Sequence, residues 1–499
     1  MRTTARVATI RPDETLLIGL TALVLVTGLT LGGGTPLSYV VVALPLVLGL
    51  TWWRPVYGFA LLLGLVLLTE EFEINTMAAG IEPWLLQTLP IFRNLQDYTP
   101  LAGVYANGVE LWLALIVTIW LVKGLLARRL RLAPVPCPTA WLAALLTIAT
   151  AFVLGVLSGG DLKPALWEVR ALGYLLGLTW LVPQIVERRR DLVVVLGTIV
   201  LAFGAKALQG LYRYAVVLHM ELDLRETFMA HEDPVMFVPV FFLLLGLWHY
   251  RAEPALRRLL LVATPLMLVA LVFTQRRVAY IGLALCALWF AVELTSSARR
   301  TLFRLSLPFA LLVAAYVGAF AGSSSPLAQP IERFLQLFES DNTSNLYRVL
   351  ELENLRYTVL AHPWGIGFGH KYEIVRSLPK LEFPLQDYIA HNEVMWMWAK
   401  TGTLGFILIM FFFARLVTEG AWSYRHIADP LLRVVAAVVP LAIVNQLVAS
   451  SFEMQLTYTR NMVFLGTLVG LLGPIRAWAG LPSSHGPRRW RWQLFRGVA

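Results

Sequence analysis

The feature that most constrains this chain is a series of apolar segments about 15 to 25 residues long, the length that a helix needs to cross a bilayer. Of its 499 residues, 58% are hydrophobic and only 14% are charged. Soluble domains carry roughly a quarter charged residues. The sequence therefore predicts an all-α polytopic membrane protein and excludes a single water-soluble domain. The two cysteines are too few for a disulfide framework.

About fourteen segments fit this description. The first follows a basic N-terminus and is long for a signal-peptide core, so we interpret it as an uncleaved span. Residues 1–476 are expected to form one transmembrane helical domain, and 477–499 a basic cytoplasmic tail whose arginines and tryptophans are typical of interfacial anchors. The predicted spans lie near residues 15–31, 36–51, 56–69, 108–126, 139–157, 165–186, 192–216, 235–249, 258–274, 278–294, 306–320, 392–414, 430–450 and 459–476.

Charge in the connecting loops orients these spans. With the N-terminus in the cytoplasm, the basic clusters at 128–131, 188–190 and 299–300 fall on the cytoplasmic side, where basic residues retain loops. Both termini are therefore expected in the cytoplasm, with the long loops 70–107 and 322–390 outside. The net charge of +10 then reflects topology and attraction to anionic membrane lipids, and not nucleic-acid binding.

One basic pair breaks this trend. Arg276 and Arg277 lie in the sequence TQRRVAY, in an outer hairpin between two predicted spans. Charge beside a bilayer is costly unless it has a partner or a task, and the planar guanidinium matches phosphate oxygens. We expect at least one of the two to bind an anionic ligand. The alternative is that both extend to the interface or pair with outer carboxylates.

The second outer loop carries helical patterns. Residues 331–338 predict a short amphipathic helix, and capping signals at 341–343 begin a second one that ends before Pro363. The second helix has Arg348, Glu351, Leu352, Leu355 and Arg356 at helical spacing, so that one stripe packs and another faces solvent. These patterns favour a folded lid or docking surface over a disordered loop.

Three glycines follow that helix. Gly365, Gly367 and Gly369 come directly after Pro363, a pattern that predicts a tight turn or a close approach of the backbone to another segment. A dinucleotide-binding fingerprint would need a strand before the glycines and a helix after them. We expect a tight loop at the membrane surface.

A histidine stands at the outer end of the predicted span 392–414. An imidazole takes up a proton near physiological pH, so His391 is a candidate general base. Glu393 and Asp387 are carboxylates close enough in sequence to orient it, and Asn392 follows it directly. Histidines at helix ends also serve as caps or interface residues, and the chemistry of the residues leaves both roles open.

Two further polar groups lie near the outer face. His231, Glu232 and Asp233 precede the span at 235–249; adjacent residues rarely converge on one ion, so a solvated loop is favoured over a metal site. Arg170 lies at the outer end of its span and is a candidate supporting residue.

Together these elements resemble the O-antigen ligase and polymerase family. HNEVMWMWAKTGTLGF (391–406) is similar to the family's HN-x-x-L…E-x-G-x-x-G element. The segment 345–369 resembles its arginine-helix-Pro-x-x-Gly-x-Gly segment, TQRRVAY resembles its Ser-Arg-Gly-Ala element, and RETFMAHEDPVMF (225–237) resembles its Arg…Phe…Asn stretch. The matches follow the family's order over residues 225–405, about a third of the chain.

The resemblance implies a membrane glycosyltransferase of the C-type architecture in the bacterial inner membrane. Such proteins take a glycan from an undecaprenyl-diphosphate carrier and join it to a hydroxyl of a glycan or lipid acceptor at the periplasmic face, without a metal or another cofactor. Carried over by position, Arg277 and Arg225 hold the diphosphate, Arg348 is a lid residue near the lipid phosphate, and His391 is the general base with Asn392 beside it. Arginines would neutralise the departing diphosphate, and a single displacement would invert the anomeric centre.

The chain departs from the family pattern at several positions. Arg276 stands where serine is usual, Val278 replaces a glycine, Asp233 occupies an asparagine region, and Lys400 stands where glutamate is common. Fourteen spans exceed the twelve associated with the ligases, which favours the polymerases.

The rival hypothesis is a transporter, either a flippase for a lipid-linked glycan or a carrier of small solutes. A transporter predicts broken spans that meet near the midplane and repeats of inverted topology, and the sequence shows neither pattern. The charges of Lys206 and Arg213 inside one predicted span keep this alternative open.

Overall fold

The chain folds into a bundle of α-helices. Outside its helices, the described chain contains an isolated bridge between Asn94 and Asn107, and no strand is present in the described ranges. The predicted helical fold class is therefore confirmed. This computed structural model describes residues 44–72, 90–97, 103–128, 130, 132–220, 227–293, 296–323, 325–329, 331–332, 343–380 and 383–481.

Fourteen α-helices lie within these ranges. In chain order they are α1 (Leu44–Trp53), α2 (Pro55–Leu68), α3 (Gly108–Leu126), α4 (Pro138–Leu157), α5 (Leu162–Ile185), α6 (Arg189–Tyr212), α7 (Asp233–His249), α8 (Pro254–Phe273), α9 (Arg277–Glu293), α10 (Ser296–Phe320), α11 (Thr343–Ala361), α12 (Glu393–His426), α13 (Pro430–Ser450) and α14 (Thr459–Trp478).

The predicted spans from 36–51 onward each overlap one of these helices, and the first predicted span, 15–31, lies outside the described residues. Eight of the helices are long and apolar enough to cross a membrane, namely α3, α4, α5, α6, α8, α12, α13 and α14. The other apolar helices are shorter. A helix of 14 residues, such as α2, covers ~21 Å at ~1.5 Å per residue, less than the ~30 Å of a hydrocarbon core.

The predicted helix after the capping signals is α11, which ends two residues before Pro363 as expected. In the other predicted amphipathic helix, residues 331 and 332 are helical, and 333–338 lie outside the described part of the chain. The predicted loop 70–107 contains two short 3-10 helices, Pro90–Phe92 and Leu95–Asp97.

The centre of the bundle is formed by α13 and α14, most of whose residues are buried. Helix α14 packs along α5, α13 packs between α12 and α7, and α6 packs against α2 and α8. By contrast α3 and α4 expose leucines along most of their length. An outer face of this composition suits contact with lipid chains.

Polar contacts mark the two ends of the bundle. At one end α2 finishes and α14 begins, and Glu71 accepts a hydrogen bond from the amide of Thr459. We call this the His391 end, because His391 precedes α12 there. At the opposite end Arg54 pairs with Asp191 at 2.8 Å. The described parts of the two long loops lie at the His391 end.

A glycine crossing joins the second long loop to the bundle. Gly402 has φ of 71° inside α12 and interrupts its hydrogen-bond ladder, and the backbone of Gly365 crosses at this point without room for a Cβ on either residue. The amides of Ile366 and Gly367 donate to the carbonyls of residues 399 and 400. The tight loop expected from the glycines is therefore present, and it is wedged against α12 and α4.

Candidate active site

Helix α11 brings the carboxylate of Glu351 next to the imidazole of His391, the residue before Asn392. Glu351 accepts a hydrogen bond from the backbone amide of His391 at 2.8 Å, and its carboxylate lies 3.1 Å from His391 Nδ1. Because an ionised carboxylate only accepts, Nδ1 donates to Glu351, and in a neutral imidazole the lone pair is then on Nε2. The Glu351 side chain is 2% exposed and that of His391 23% exposed. The contact therefore selects one tautomer of the neutral imidazole, whose ring is partly accessible.

The carboxylates expected to orient His391 have other partners. Asp387 pairs with Lys371 at 2.9 Å. Glu393, the first residue of α12, accepts hydrogen bonds from the amides of residues 455–457 and so anchors the loop before α14. The expectation that Glu393 or Asp387 orients His391 is therefore wrong. Glu351, on the buried face of α11, makes that contact.

Asn392 caps α12. Its side-chain oxygen accepts a hydrogen bond from the amide of Met395 at 2.9 Å, which satisfies one of the free N–H groups of the first helical turn. Asn392 therefore fixes where α12 begins, and with it the position of the preceding His391.

A cluster of cationic groups adjoins this pair. Arg276 Nη2 lies 2.7 Å from His231 Nε2, and since a guanidinium only donates, His231 accepts. On the neighbouring side Arg348 Nη2 lies 3.6 Å from Glu453 Oε1. Arg276 lies within the electrostatic range of both Arg348 and Glu453. Four segments distant in sequence therefore meet at one place.

The charges of this cluster are unbalanced. The surrounding protein, and then the positive charges of Arg276 and Arg348, hold the pKa of His231 well below its ordinary value. His231 is therefore neutral, as its role as acceptor requires. Glu453 attracts both Arg276 and Arg348, whose like charges repel each other. A bound anion would add a second negative charge beside these two guanidinium groups.

The resemblance also implies roles for Arg277 and Arg225, and the structure describes the first of these two. Arg277 is the first residue of α9, is half-buried and follows Arg276 directly. Arg225 lies outside the described residues. The described chain resumes at residue 227, four residues before His231.

A buried arginine fixes the segment that carries His231. Arg460 on α14 pairs with Glu232 at 2.8 Å and with Asp233, and also with Glu70 at 3.5 Å. Glu232 and Asp233 are buried, so the expectation of a solvated loop is wrong for them. Their carboxylates point to Arg460 and the imidazole of His231 to another residue, so these three side chains do not converge on one ion.

Arg170 contacts the first outer loop. Its Nε donates to Glu110 at 2.9 Å, and its Nη2 donates to Asn94 at 2.9 Å and to the carbonyl of Tyr105. These contacts bind residues 94–110 to α5. Arg170 therefore supports this loop, and its contacts are with neither His391 nor Arg276.

A buried ion pair holds the glycine loop. Lys400 Nζ lies 2.6 Å from Glu168 Oε1, and both side chains are fully buried. The other carboxylate oxygen of Glu168 accepts from the amide of Gly369 at 2.6 Å, and Lys400 also donates to the carbonyl of His370. The lysine that departs from the family pattern thus has an acidic partner on α5.

Glu351 is the residue that the sequence analysis missed. It lies on the packing stripe of α11 that also contains Leu355, and an acidic side chain on a buried stripe needs a partner. That signal was present in the sequence. The identity of the partner was not, because 40 positions separate the two residues.

A family model matches the part of the chain that contains this site. Residues 262–410 match the model described as O-antigen ligase. The matched region contains Arg276, Arg277, Arg348, Glu351 and His391. No curated protein matches the chain. The resemblance to the O-antigen ligase and polymerase family is therefore confirmed over residues 262–410.

Proposed function

We propose that this protein transfers a glycan from an undecaprenyl-diphosphate carrier to a hydroxyl of a glycan or lipid acceptor, and so acts in polysaccharide or lipopolysaccharide biosynthesis. The observation that carries the proposal is the pairing of His391 with Glu351 beside the cationic cluster of Arg276 and Arg348. This reaction needs a general base for the acceptor hydroxyl and cationic groups that bind the diphosphate.

The reaction takes place at the periplasmic face of the bacterial inner membrane. The chain crosses the membrane about fourteen times, both termini are cytoplasmic, and the loops 70–107 and 322–390 are periplasmic. Basic residues are retained in the cytoplasm. Arg128 and the cluster 188–190 lie at the end of the bundle opposite His391, which supports this orientation.

The cationic cluster binds the diphosphate of the donor. Arg276, Arg277, Arg348 and Arg225 supply the guanidinium groups, whose planar forks match phosphate oxygens. As the sugar–phosphate bond breaks, negative charge grows on the departing diphosphate, and preorganised cations stabilise that charge. The neutral imidazole of His231 holds Arg276 in place by accepting its hydrogen bond.

His391 removes the proton of the acceptor. The acceptor oxygen forms a bond to the anomeric carbon while the bond from that carbon to the diphosphate oxygen breaks. The hydroxyl proton passes to His391 Nε2, and undecaprenyl diphosphate leaves as an anion. Glu351 stabilises the imidazolium that forms, as the carboxylate of a catalytic triad does. One displacement inverts the anomeric centre.

The transporter hypothesis loses support from the charges in and directly after α6. Lys206 is buried and pairs with Glu70 and, at 3.9 Å, with Asp233. The buried Arg213, which follows α6, lies 3.7 Å from Glu70. These cations are buried beside fixed carboxylates, an arrangement that does not suit an open path for a lipid-linked glycan.

The deciding experiment is transfer by the purified chain in lipid nanodiscs. The donor is lipid-linked oligosaccharide extracted from the organism that makes the protein, supplied alone or with lipid A-core as acceptor. Longer glycans from the donor alone identify a polymerase, and glycan on lipid A-core identifies a ligase. Absence of both products, with movement of the donor between leaflets, would favour the flippase.

A further inference from the structure

A cavity separate from the contacts of His391 and Arg276 lies at the His391 end of the bundle. It has a volume of about 260 Å³, and its walls come from the end of α2, the first outer loop, α5 and the loop before α14. The side chains that matter for its chemistry are Phe72, Trp167, Arg93, Asp97, Glu71 and Thr457.

Aromatic rings form one wall. Phe72 and Trp167 stack, with ring centroids 5.8 Å apart and an angle of 27° between their planes. Phe72 is 41% exposed, although it lies beside a cavity and not on a lipid-facing helix. A flat aromatic surface accepts the C–H face of a sugar ring, and pockets for small molecules combine such surfaces with a few polar groups.

Polar groups complete the lining of the cavity. Arg93 directly follows the first short 3-10 helix and Asp97 ends the second, and both are exposed, which suits hydrogen bonds with hydroxyl groups. Thr459 donates to Glu71 through its amide at 2.8 Å and its hydroxyl at 2.6 Å. Even so, burial raises the pKa of Glu71 to about 7, so that at neutral pH this carboxyl both donates and accepts.

The charges here are balanced, in contrast to the cationic cluster. Arg93 and Arg170 line the cavity together with Asp97 and Glu71, and Arg170 is already paired with Glu110 at 2.9 Å. A balanced lining favours a neutral ligand rich in hydroxyl groups over a diphosphate. The volume is near the ~300 Å³ lower end of ligand pockets, which suits a sugar unit and not a lipid chain.

The loop before α14 connects this cavity to the candidate active site. Thr457 lines the cavity and donates through its hydroxyl to Glu393 at 2.6 Å, two residues after His391. Tyr458 contacts Phe72, with ring centroids 5.7 Å apart, and lies within the electrostatic range of Arg276. The cavity and the cationic cluster thus lie on two sides of one short loop.

We propose that this cavity is the subsite for a sugar unit of the acceptor glycan, with Phe72 and Trp167 as the stacking surface and Arg93, Asp97 and Glu71 as hydrogen-bonding groups. The assignment rests on the proposed glycosyl transfer, because only a two-substrate reaction needs a second sugar site next to the diphosphate site.

Binding is measured without donor or turnover. Full-length protein in nanodiscs is mixed with the methyl glycosides of glucose, galactose, mannose, rhamnose and N-acetylglucosamine, and saturation-transfer NMR records contact. We expect at least one glycoside to receive saturation from the wild type and from His391→Ala, and the signal to fall at least threefold in Trp167→Ala and Phe72→Leu. Trp364→Ala is the matched control, because Trp364 is 84% exposed and lies outside the cavity. Thermal melting confirms that each variant is folded.

Kinetics then identify the substrate. We expect Phe72→Leu and Trp167→Ala to raise the KM for the acceptor at least fivefold while the KM for the lipid-linked donor stays within twofold. A rise in the donor KM alone would assign the cavity to the donor glycan and overturn the acceptor assignment. Wild-type binding and kinetics in both variants would overturn the subsite and leave the proposed function standing. Failure of the wild type to transfer any glycan would overturn the proposed function and, with it, the acceptor assignment.

Discussion

Glu351 holds His391 by two contacts, one to the backbone amide at 2.8 Å and one to Nδ1 at 3.1 Å. The first contact fixes the position of the residue, and the second fixes the tautomer of the ring. This arrangement resembles the carboxylate–imidazole pair of a catalytic triad in its geometry, although here the nucleophile is a hydroxyl of the acceptor.

The pair predicts the effect of Glu351→Gln. A glutamine cannot stabilise an imidazolium as a carboxylate does, and it permits the unproductive tautomer. We expect kcat to fall by up to about 10⁴-fold, the loss known for the equivalent change in serine proteases, with the donor KM unchanged. The control is Glu353→Gln on the same helix, since Glu353 pairs with Arg376 on the surface. Equal rates for Glu351→Gln and the control would remove Glu351 from the mechanism.

His391→Ala should separate catalysis from binding. A general base contributes typically 10²–10⁴-fold, so we expect product formation to fall by this factor while binding of lipid-linked donor is retained. A chelator should leave the wild-type rate unchanged. Transfer at the wild-type rate by His391→Ala would exclude it as the base, and inhibition by the chelator would show that a metal takes part.

The arginines of the TQRRVAY segment should act through charge and shape. Loss of a charge-assisted contact to a buried anion costs about 2–3 kcal/mol, so Arg276→Ala or Arg277→Ala should lower kcat/KM by about 30- to 150-fold. Lysine should restore the rate only partly, because it presents a point charge instead of a fork. Arg376→Ala on the surface is the control. Near-normal turnover by both alanine variants, at equal protein level, would refute the diphosphate assignment.

Lys400 and Glu168 should stabilise the fold only when both charges are present. Lys400→Met leaves an uncompensated buried carboxylate, a change that costs about 3–5 kcal/mol, and it removes the hydrogen bond from Lys400 to the carbonyl of His370. We expect a clear fall in melting temperature for Lys400→Met and substantial recovery in Lys400→Met/Glu168→Gln, since the amide oxygen of glutamine can still accept from the amide of Gly369. If the double variant melts no higher than the single one, the two charges do not compensate each other.

Topology is testable by cysteine labelling, since both native cysteines are buried. Ser158 lies at the His391 end and Ala428 at the opposite end, and both are exposed. We expect an impermeant maleimide added to spheroplasts to label Ser158→Cys and to spare Ala428→Cys until the membrane is broken. Labelling of Ala428→Cys in unbroken spheroplasts would reverse the orientation proposed for the chain.

The sequence by itself determined the helical class and the approximate bounds of the spans. Apolar length and charge are local properties, so the segments at 108–126 and 430–450 could be predicted within a residue or so of α3 and α13. Local properties also selected Arg276, Arg348 and His391 as groups suited to anion binding or proton transfer.

Only the tertiary structure decided which of these groups meet. Glu351 and His391 are 40 positions apart, and Arg460 and Glu232 are 228 positions apart. The spacing of residues within one helix carries no signal for such pairs, because they depend on how α11, α12 and α14 pack. The same packing buries Glu393 against residues 455–457, away from the ring that it was expected to orient, and forms the cavity beside Trp167. A charge near the bilayer must find a partner, but the sequence does not show which partner the fold brings within reach.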